Sequence, residues 1–320
     1  MGNGAPFVPG RVFSKVPGVA YLLVVLAVAF AIFESRFATV ANLLNVGVQS
    51  SILLLLALPM TLIIMTEGLD LSMGAVLSLS TVVMAFALVN GHSVVAAVAR
   101  GAFVGLAFGA GNGLLVVVGR IPPFVATLGT LGIAQGIALV ATDGQSVVGV
   151  GARLPALYRA TWLGVPFSIA VATAAYLVFH TLLYHTRFGT YVPALGGNPD
   201  ALVLAGVRAK TYHMAVYALG GLTAGFAALL LTGRMNSGHP IAAIGMEFDA
   251  IAAVIVGGTS FERGNGWLPG TVLGVLTVGI LKNGVDLMEV PSSLQVASIG
   301  LLVIVALLVD QLRGRLRGRA

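Results

Sequence analysis

The chain is 320 residues long, 58% hydrophobic and only 9% charged, with a net charge of +6 and a mean hydropathy of +1.01. Ordinary soluble domains carry about 25% charged residues, so this chain cannot cover its apolar material with a water-facing surface. The absence of cysteine excludes disulfides, thiolate catalysis and Cys-ligated metal, and no basic stripe with interleaved aromatics marks a nucleic-acid surface. What remains is an all-α, polytopic membrane protein. The apolar runs are solid, whereas a transmembrane barrel would show segments of ~10 residues with alternating polarity.

The first apolar run, from Val19 to Phe33, follows Arg11 and Lys15 and has the outline of a signal peptide. Its Ala27-Val28-Ala29 tripeptide lies inside the run, however, so an uncleaved first span over 18–33 is expected. Further spans follow at 47–66, 72–89, 94–118, 122–141, 162–183, 213–232, a short one near 248–258, 267–287 and 293–310, about ten in all. They form one transmembrane domain over 18–310, between a head at 1–17 and a basic tail at 311–320.

An even count puts both termini on one side, and charge selects the side. Head, tail and same-side connections collect eleven basic residues: Arg11, Lys15, Arg120, Arg187, Arg208, Lys210, Arg263, Arg313, Arg315, Arg317 and Arg319. Arg36, Arg100, Arg153, Arg159 and Arg234 face the other way, and Lys282 lies within a span. Basic residues favour the cytoplasm, so both termini are expected there.

Two segments are too short or too interrupted to be plain spans. Leu71–Leu79 follows Glu67 and Asp70, and Ala250–Val256 follows Glu247 and Asp249 and ends at Gly257-Gly258. Carboxylates near a helix start interact well with the positive end of the dipole. Short, Gly-interrupted segments at matching places in two halves point to broken helices around a transport path and to an internal repeat. The competing reading makes each acid a solvated residue at a span end.

The longest polar interruption is a cytoplasmic loop at about 184–212. Within it Asn198, Pro199 and Asp200 spell a helix start: an N-cap, a proline at the first helical position and an acid in the first turn. Ala201, Leu202, Val203, Leu204 and Ala205 follow, and Gly206 stops the helix. A two-turn helix this apolar is marginal in water and must be buried. It either packs back onto its own spans or docks into a groove on a soluble partner, with Arg187, Arg208 and Lys210 flanking it.

At Asp200-Ala201-Leu202, three further residues and Gly206, the chain resembles the coupling-loop pattern of ATP-binding-cassette import permeases. Longer blocks are similar to the permeases of ribose, galactose, xylose and arabinose importers. They are GLDLSMGAVLSLS from Gly68, RIPPFVATLGTLGIAQGIAL from Arg120, ALGGNPDALVLAGV from Ala194, and EFDAIAAVIVGGTSFERGNGWLPGTVLG from Glu247. The resemblance runs in order from about Asn42 to Val309. Two positions depart from it: Glu67 stands where the pattern usually has Gly, and Lys282 where it often has Asn.

The resemblance implies a bacterial inner-membrane permease subunit, two copies, or this chain and a related permease, forming the pore in membrane lipid. A periplasmic sugar-binding protein would deliver a monosaccharide, and a cytoplasmic ATPase would drive alternation. The residues agree on one point independently: no G-x-x-x-x-G-K-[ST] nucleotide loop exists, so any ATP is hydrolysed on another chain. No cofactor is expected. The five scattered histidines lack zinc spacing, so neither metal nor catalysis is expected.

Lys282 and Asp286 share a helix face four residues apart. They read as a structural ion pair, as a polar lining for sugar, or as residues near a span end. Gln49, Asn112, Thr127, Gln135, Asn283 and Gln295 are the polar candidates for the pathway, though such residues in membrane helices mostly bond between helices. Trp162 and Trp267 fall at span ends, as interfacial anchors do. An ion-coupled secondary transporter would share the broken helices but has no need of an apolar docking helix. An intramembrane enzyme would need converging acid, base or metal groups.

Overall fold

The computed structural model describes residues 17–261, 264–291, 294–295, 297–301 and 304. Among these, the chain forms α1 (Pro17–Phe33), α2 (Val40–Met65), α3 (Met73–Val89), α4 (Val94–Val117), α5 (Pro123–Thr142), α6 (Arg153–Arg159), α7 (Phe167–His185), α8 (Arg187–Gly197), α9 (Pro199–Leu204), α10 (Ala209–Met235), α11 (Met246–Val256) and α12 (Leu268–Leu287). Two small antiparallel pairs complete the fold, β1 (Val147–Val148) with β4 (Ser237–Gly238) and β2 (Thr161–Trp162) with β3 (Val165–Pro166).

Nine of the ten expected spans coincide with α1–α5, α7 and α10–α12. Six of these helices are long and apolar enough to cross a membrane, while α1 and α3 are shorter apolar helices. The span expected at 293–310 lies mostly outside the described residues; those of it that are described are helical. Residues 1–16 of the head, the tail and Arg263 also lie outside them.

Successive helices alternate in direction, so their connections sort to two ends. At one end meet the close of α2, the Leu69–Asp70 turn, the start of α5, the α8–α9 loop and the start of α12: Thr127 Oγ1 donates to the Leu69 carbonyl and Tyr184 Oη accepts from the Leu268 amide at 3.1 Å. At the opposite end Arg36 donates to the Leu287 carbonyl at 2.9 Å. Arg36 also grips Glu34, and these hydrogen bonds hold the Glu34 carboxyl down at about 2.

Glycine decides how closely the central helices pack. A Cβ on Gly105 of α4 would lie 2.1 Å from the Gly221 carbonyl of α10, and one on Gly221 would lie 2.1 Å from the Gly105 carbonyl. These two backbones touch without intervening side chains, the arrangement that replaces the hydrophobic effect as the source of helix association in lipid.

The packing repeats under the exchange of α2 with α10, α3 with α11 and α4 with α12. α3 packs on α4 as α11 packs on α12; α10 covers α3 and α4 as α2 covers α11 and α12. Because α2 ends at the face where α10 begins, the two halves are inverted relative to each other, as in many transporters. This pattern of helix contacts is what an internal repeat of the kind expected from the acidic pairs would produce.

Between α10 and α11 the chain is non-helical from 236 to 245, β4 included, and lies antiparallel along α3. The His239 amide donates to Thr81 Oγ1 at 3.3 Å and the Ala243 amide to Ser78 Oγ at 3.0 Å. Non-helical backbone inside a bilayer must find such partners in neighbouring protein. α11 therefore begins deep in the bundle, as a half-helix.

Candidate functional site

The loop helices are built as the sequence indicates. Asn198 caps α9, its side chain accepting from the Ala201 amide at 3.0 Å, with Pro199 and Asp200 in the first turn. Gly206, at φ +77°, ends it: the Gly206 amide donates to the Val203 carbonyl and the Val207 amide to the Leu202 carbonyl. This pair of bonds is a Schellman cap, which requires a left-handed residue and favours glycine.

The two leucines then part company. Leu202 is buried at 7% exposure in a cluster with Leu195 and Ala209, flanked by Tyr191 and Tyr212, whereas Leu204 is 89% exposed. Val203, Asp200, Arg208, Lys210 and Arg187 are exposed as well. One side of the knob thus packs on its own chain, and the other is an exposed apolar tip among charged residues.

Inside the bundle one acid of each pair, Asp70 of the first and Glu247 of the second, lies in a shared region. Asp70 is buried and accepts from the Ser72 amide at 2.9 Å and Ser72 Oγ at 2.6 Å. Asn112 Nδ2 reaches both Asp70 oxygens at 3.3 and 3.2 Å, and its Oδ1 accepts from Thr130 Oγ1 at 2.7 Å. Glu247 folds back so that both its oxygens accept from the Gly245 amide at 3.1 Å. Its carboxylate also lies against Gly74, where a Cβ would come within 2.0 Å of Oε2, and it interacts electrostatically with Asp70. α3 and the half-helix α11 thus each hold a carboxylate at the positive end.

Solvated span-end behaviour, the competing reading of the acids, holds only for Glu67, which is exposed. Asp249 is buried on α11 and forms an ion pair with Lys282 of α12. Lys282 therefore bonds to a different helix from the one expected: Asp286, its neighbour in sequence, is exposed.

Residues 42–307 match the family described as "Branched-chain amino acid transport system / permease component". The chain belongs to this permease family. It is 37% identical over 291 residues to the ribose import permease protein RbsC of Bacillus subtilis, covering 90% of each chain. It is 36% identical to the D-allose transport system permease protein AlsC of Escherichia coli, covering 90% of each. With the L-arabinose transport system permease protein AraH of Escherichia coli it shares 31% over 313 residues, 97% of this chain and 95% of the relative. No solved structure matches the chain.

Both departures of this permease from the family pattern have a structural setting. Glu67 has φ +59° and follows the end of α2: its amide donates to the Ile64 carbonyl and the Gly68 amide to the Ile63 carbonyl. This is a second Schellman cap with glutamate at the left-handed position, where glycine carries no steric penalty. Lys282, in place of the common Asn, supplies the cation that Asp249 pairs with.

The remaining polar candidates divide. Asn112 and Thr127 belong to the Asp70 turn. Asn283 and Asn42 exchange side-chain hydrogen bonds at 2.8 and 3.0 Å, tying α12 to α2, and Thr61 bonds Thr271 on the same seam at 2.6 Å. Gln49 and Gln135 are half-buried on α2 and α5, and Gln295 Nε2 donates to the Val290 carbonyl. Trp267 Nε1 donates to the Gly257 carbonyl at 2.9 Å, a latch on the α11–α12 connection; Trp162 is exposed on its hairpin. Sequence reasoning missed Ser72, Thr130, Asn42 and Thr61. Each is small and ordinary among apolar neighbours, and only its partner on another element marks it.

Proposed function

We propose that this permease is the membrane subunit of an ATP-binding-cassette importer, forming the path for a monosaccharide that a periplasmic binding protein delivers. The observation that carries this reading is the exposed apolar tip of α9, Leu204 and Val203, on a loop expected in the cytoplasm. A separate ATPase chain covers the tip, and hydrolysis there shifts the bundle by holding α9 differently in its two states. The relatives that import ribose, allose and arabinose support the sugar as the class of cargo.

In this reading 18–310 is one permease domain, the coupling loop spans about 184–212, and the segments 1–17 and 311–320 lie in the cytoplasm. The described connections at the α9 end carry Arg120, Arg187, Arg208 and Lys210, against Arg36, Arg100, Arg153, Arg159 and Arg234 at the other. These nearly balance. The orientation accordingly rests on the basic head and tail, where the positive-inside rule places six residues with α9.

A second copy of the chain, or a related permease, completes the pore. Ion-coupled transport would use buried acids as carriers, but Asp70, Asp249 and Glu247 are each engaged by protein groups. The test is Leu204→Asp in the permease reconstituted with its ATPase and binding protein. The variant should remain monodisperse and lose both ATPase copurification and stimulation by loaded binding protein; undiminished sugar uptake would exclude docking through α9.

A further inference from the structure

Where α8 meets the membrane bundle, three stretches of backbone touch with no side chain between them. A Cβ on Gly196 of α8 would lie 2.1 Å from the carbonyl oxygen of Met65, the last residue of α2, and 3.1 Å from the Gly264 amide nitrogen. Gly264, at φ +67°, sits in the connection from α11 to α12, and a Cβ there would lie 2.0 Å from the Pro193 carbonyl of α8. From the other side Gly266 presses on the Met65 side chain, 2.6 Å separating a Cβ position at 266 from Met65 Cγ. Met65 itself is buried at 2% exposure.

Each partner in this contact leads to a broken helix. After Met65 the chain makes the Glu67 cap and reaches Asp70 at the head of α3. Behind Gly264 lies α11 with Glu247 and Asp249, and the Trp267 latch closes that connection onto Gly257. On the outer side α8 is packed to α9 through Leu195 and Leu202. Backbones in van der Waals contact have no rotamers with which to absorb a push, and close-packed interiors transmit displacement.

We infer that Gly196, Gly264 and Met65 form a rigid joint that passes displacement of α9 to both inverted repeats at once. Gly196 and Gly264 are positioning residues: they touch neither cargo nor nucleotide. The inference rests on the docking of α9 to an ATPase proposed above, and it adds the route inward. Gly196, next to last in α8, has no left-handed backbone that would call for a glycine, so its place here needs a reason in packing. The missing Cβ supplies it.

The test uses the complete importer in proteoliposomes and exploits the lack of native cysteine. In the double variant Met65→Cys/Gly266→Cys the two sulfurs fall within disulfide reach. A rigid joint keeps sugar uptake equal in the oxidised and reduced states. Uptake lost on oxidation and regained with reductant would mean that these surfaces slide, and failure of the bond to form would mean that they do not touch; either overturns the joint. In the second arm, Gly196→Ala should raise ATP hydrolysed per sugar transported by about tenfold while the ATPase still copurifies. A purely structural role would lower the yield of folded complex and leave that ratio unchanged, which also overturns the proposal. Should the alanine variant not fold, the cross-link decides. Should the wild-type permease capture no ATPase, the docking reading falls first and the joint with it.

Discussion

Lys282 of α12 pairs with Asp249 of α11, 33 residues away, and not with Asp286 on its own helix. Asp249 is 11% exposed and Lys282 37%, so the pair lies between the fully buried and the solvent-screened regimes. Removing one partner leaves an uncompensated charge, and about 2 kcal/mol of stability should be lost in Lys282→Asn or Asp249→Asn, between the surface and buried limits. The double variant, neutral at both positions, should recover most of it. Thermal unfolding in detergent measures all three; single variants as stable as the wild type would show the pair to be idle.

Glu67 is a strained residue in a turn that favours glycine. Left-handed backbone costs a side-chain-bearing residue about 1–2 kcal/mol, so Glu67→Gly should raise stability by about 1 kcal/mol. Glu67→Ala keeps the strain and serves as the control. Equal melting temperatures for the Gly and Ala variants would rule out backbone strain as the distinguishing feature of this position.

Asp70 and Asn112 can be exchanged in principle. Asp70→Asn can keep a carbonyl oxygen on Ser72, which donates twice to Oδ1, but turns its amide donor against Asn112 Nδ2, and should cost about 1.5–3 kcal/mol, the range for hydrogen bonds to a charged group. Asn112→Asp sets two carboxylates against each other. In the double swap, an aspartate at 112 can still accept from Thr130 and from the new amide at 70. Partial rescue in the swap is the expected result, and strictly additive losses would count against a shared network.

Leu202 and Leu204 should separate folding from coupling. Leu202→Asp puts a charge in the pocket formed with Leu195 and Ala209 and should cost about 3 kcal/mol, the transfer value of a buried leucine plus desolvation. Leu204→Asp should leave the melting temperature unchanged, since that side chain is in the open. Proteolysis of the loop gives an independent readout: rapid cleavage is expected for the first and wild-type resistance for the second.

At the α4–α10 crossing there is no room for side chains. Gly105→Leu must separate the two helices and should abolish a monodisperse preparation, whereas Gly132→Leu on α5, where nothing lies within 4 Å of the Cβ position, should not. Comparable behaviour of the two variants in size-exclusion chromatography would contradict the close approach.

Much of this molecule was written locally. Span positions follow from apolar run length against bilayer thickness, a property of each stretch alone, and so do the caps at Asn198 and Gly206. Which face of α9 turns inward, which carboxylate meets Lys282, and that Asp70 and Glu247 share one region all depend on how distant segments pack. In a chain that is apolar on nearly every helical face, hydropathy says that a segment enters the membrane and nothing about its neighbour. Glycines at 105, 196, 221 and 264 make that choice, because the helices come together where a Cβ is missing, and only the assembled structure pairs one gap with another.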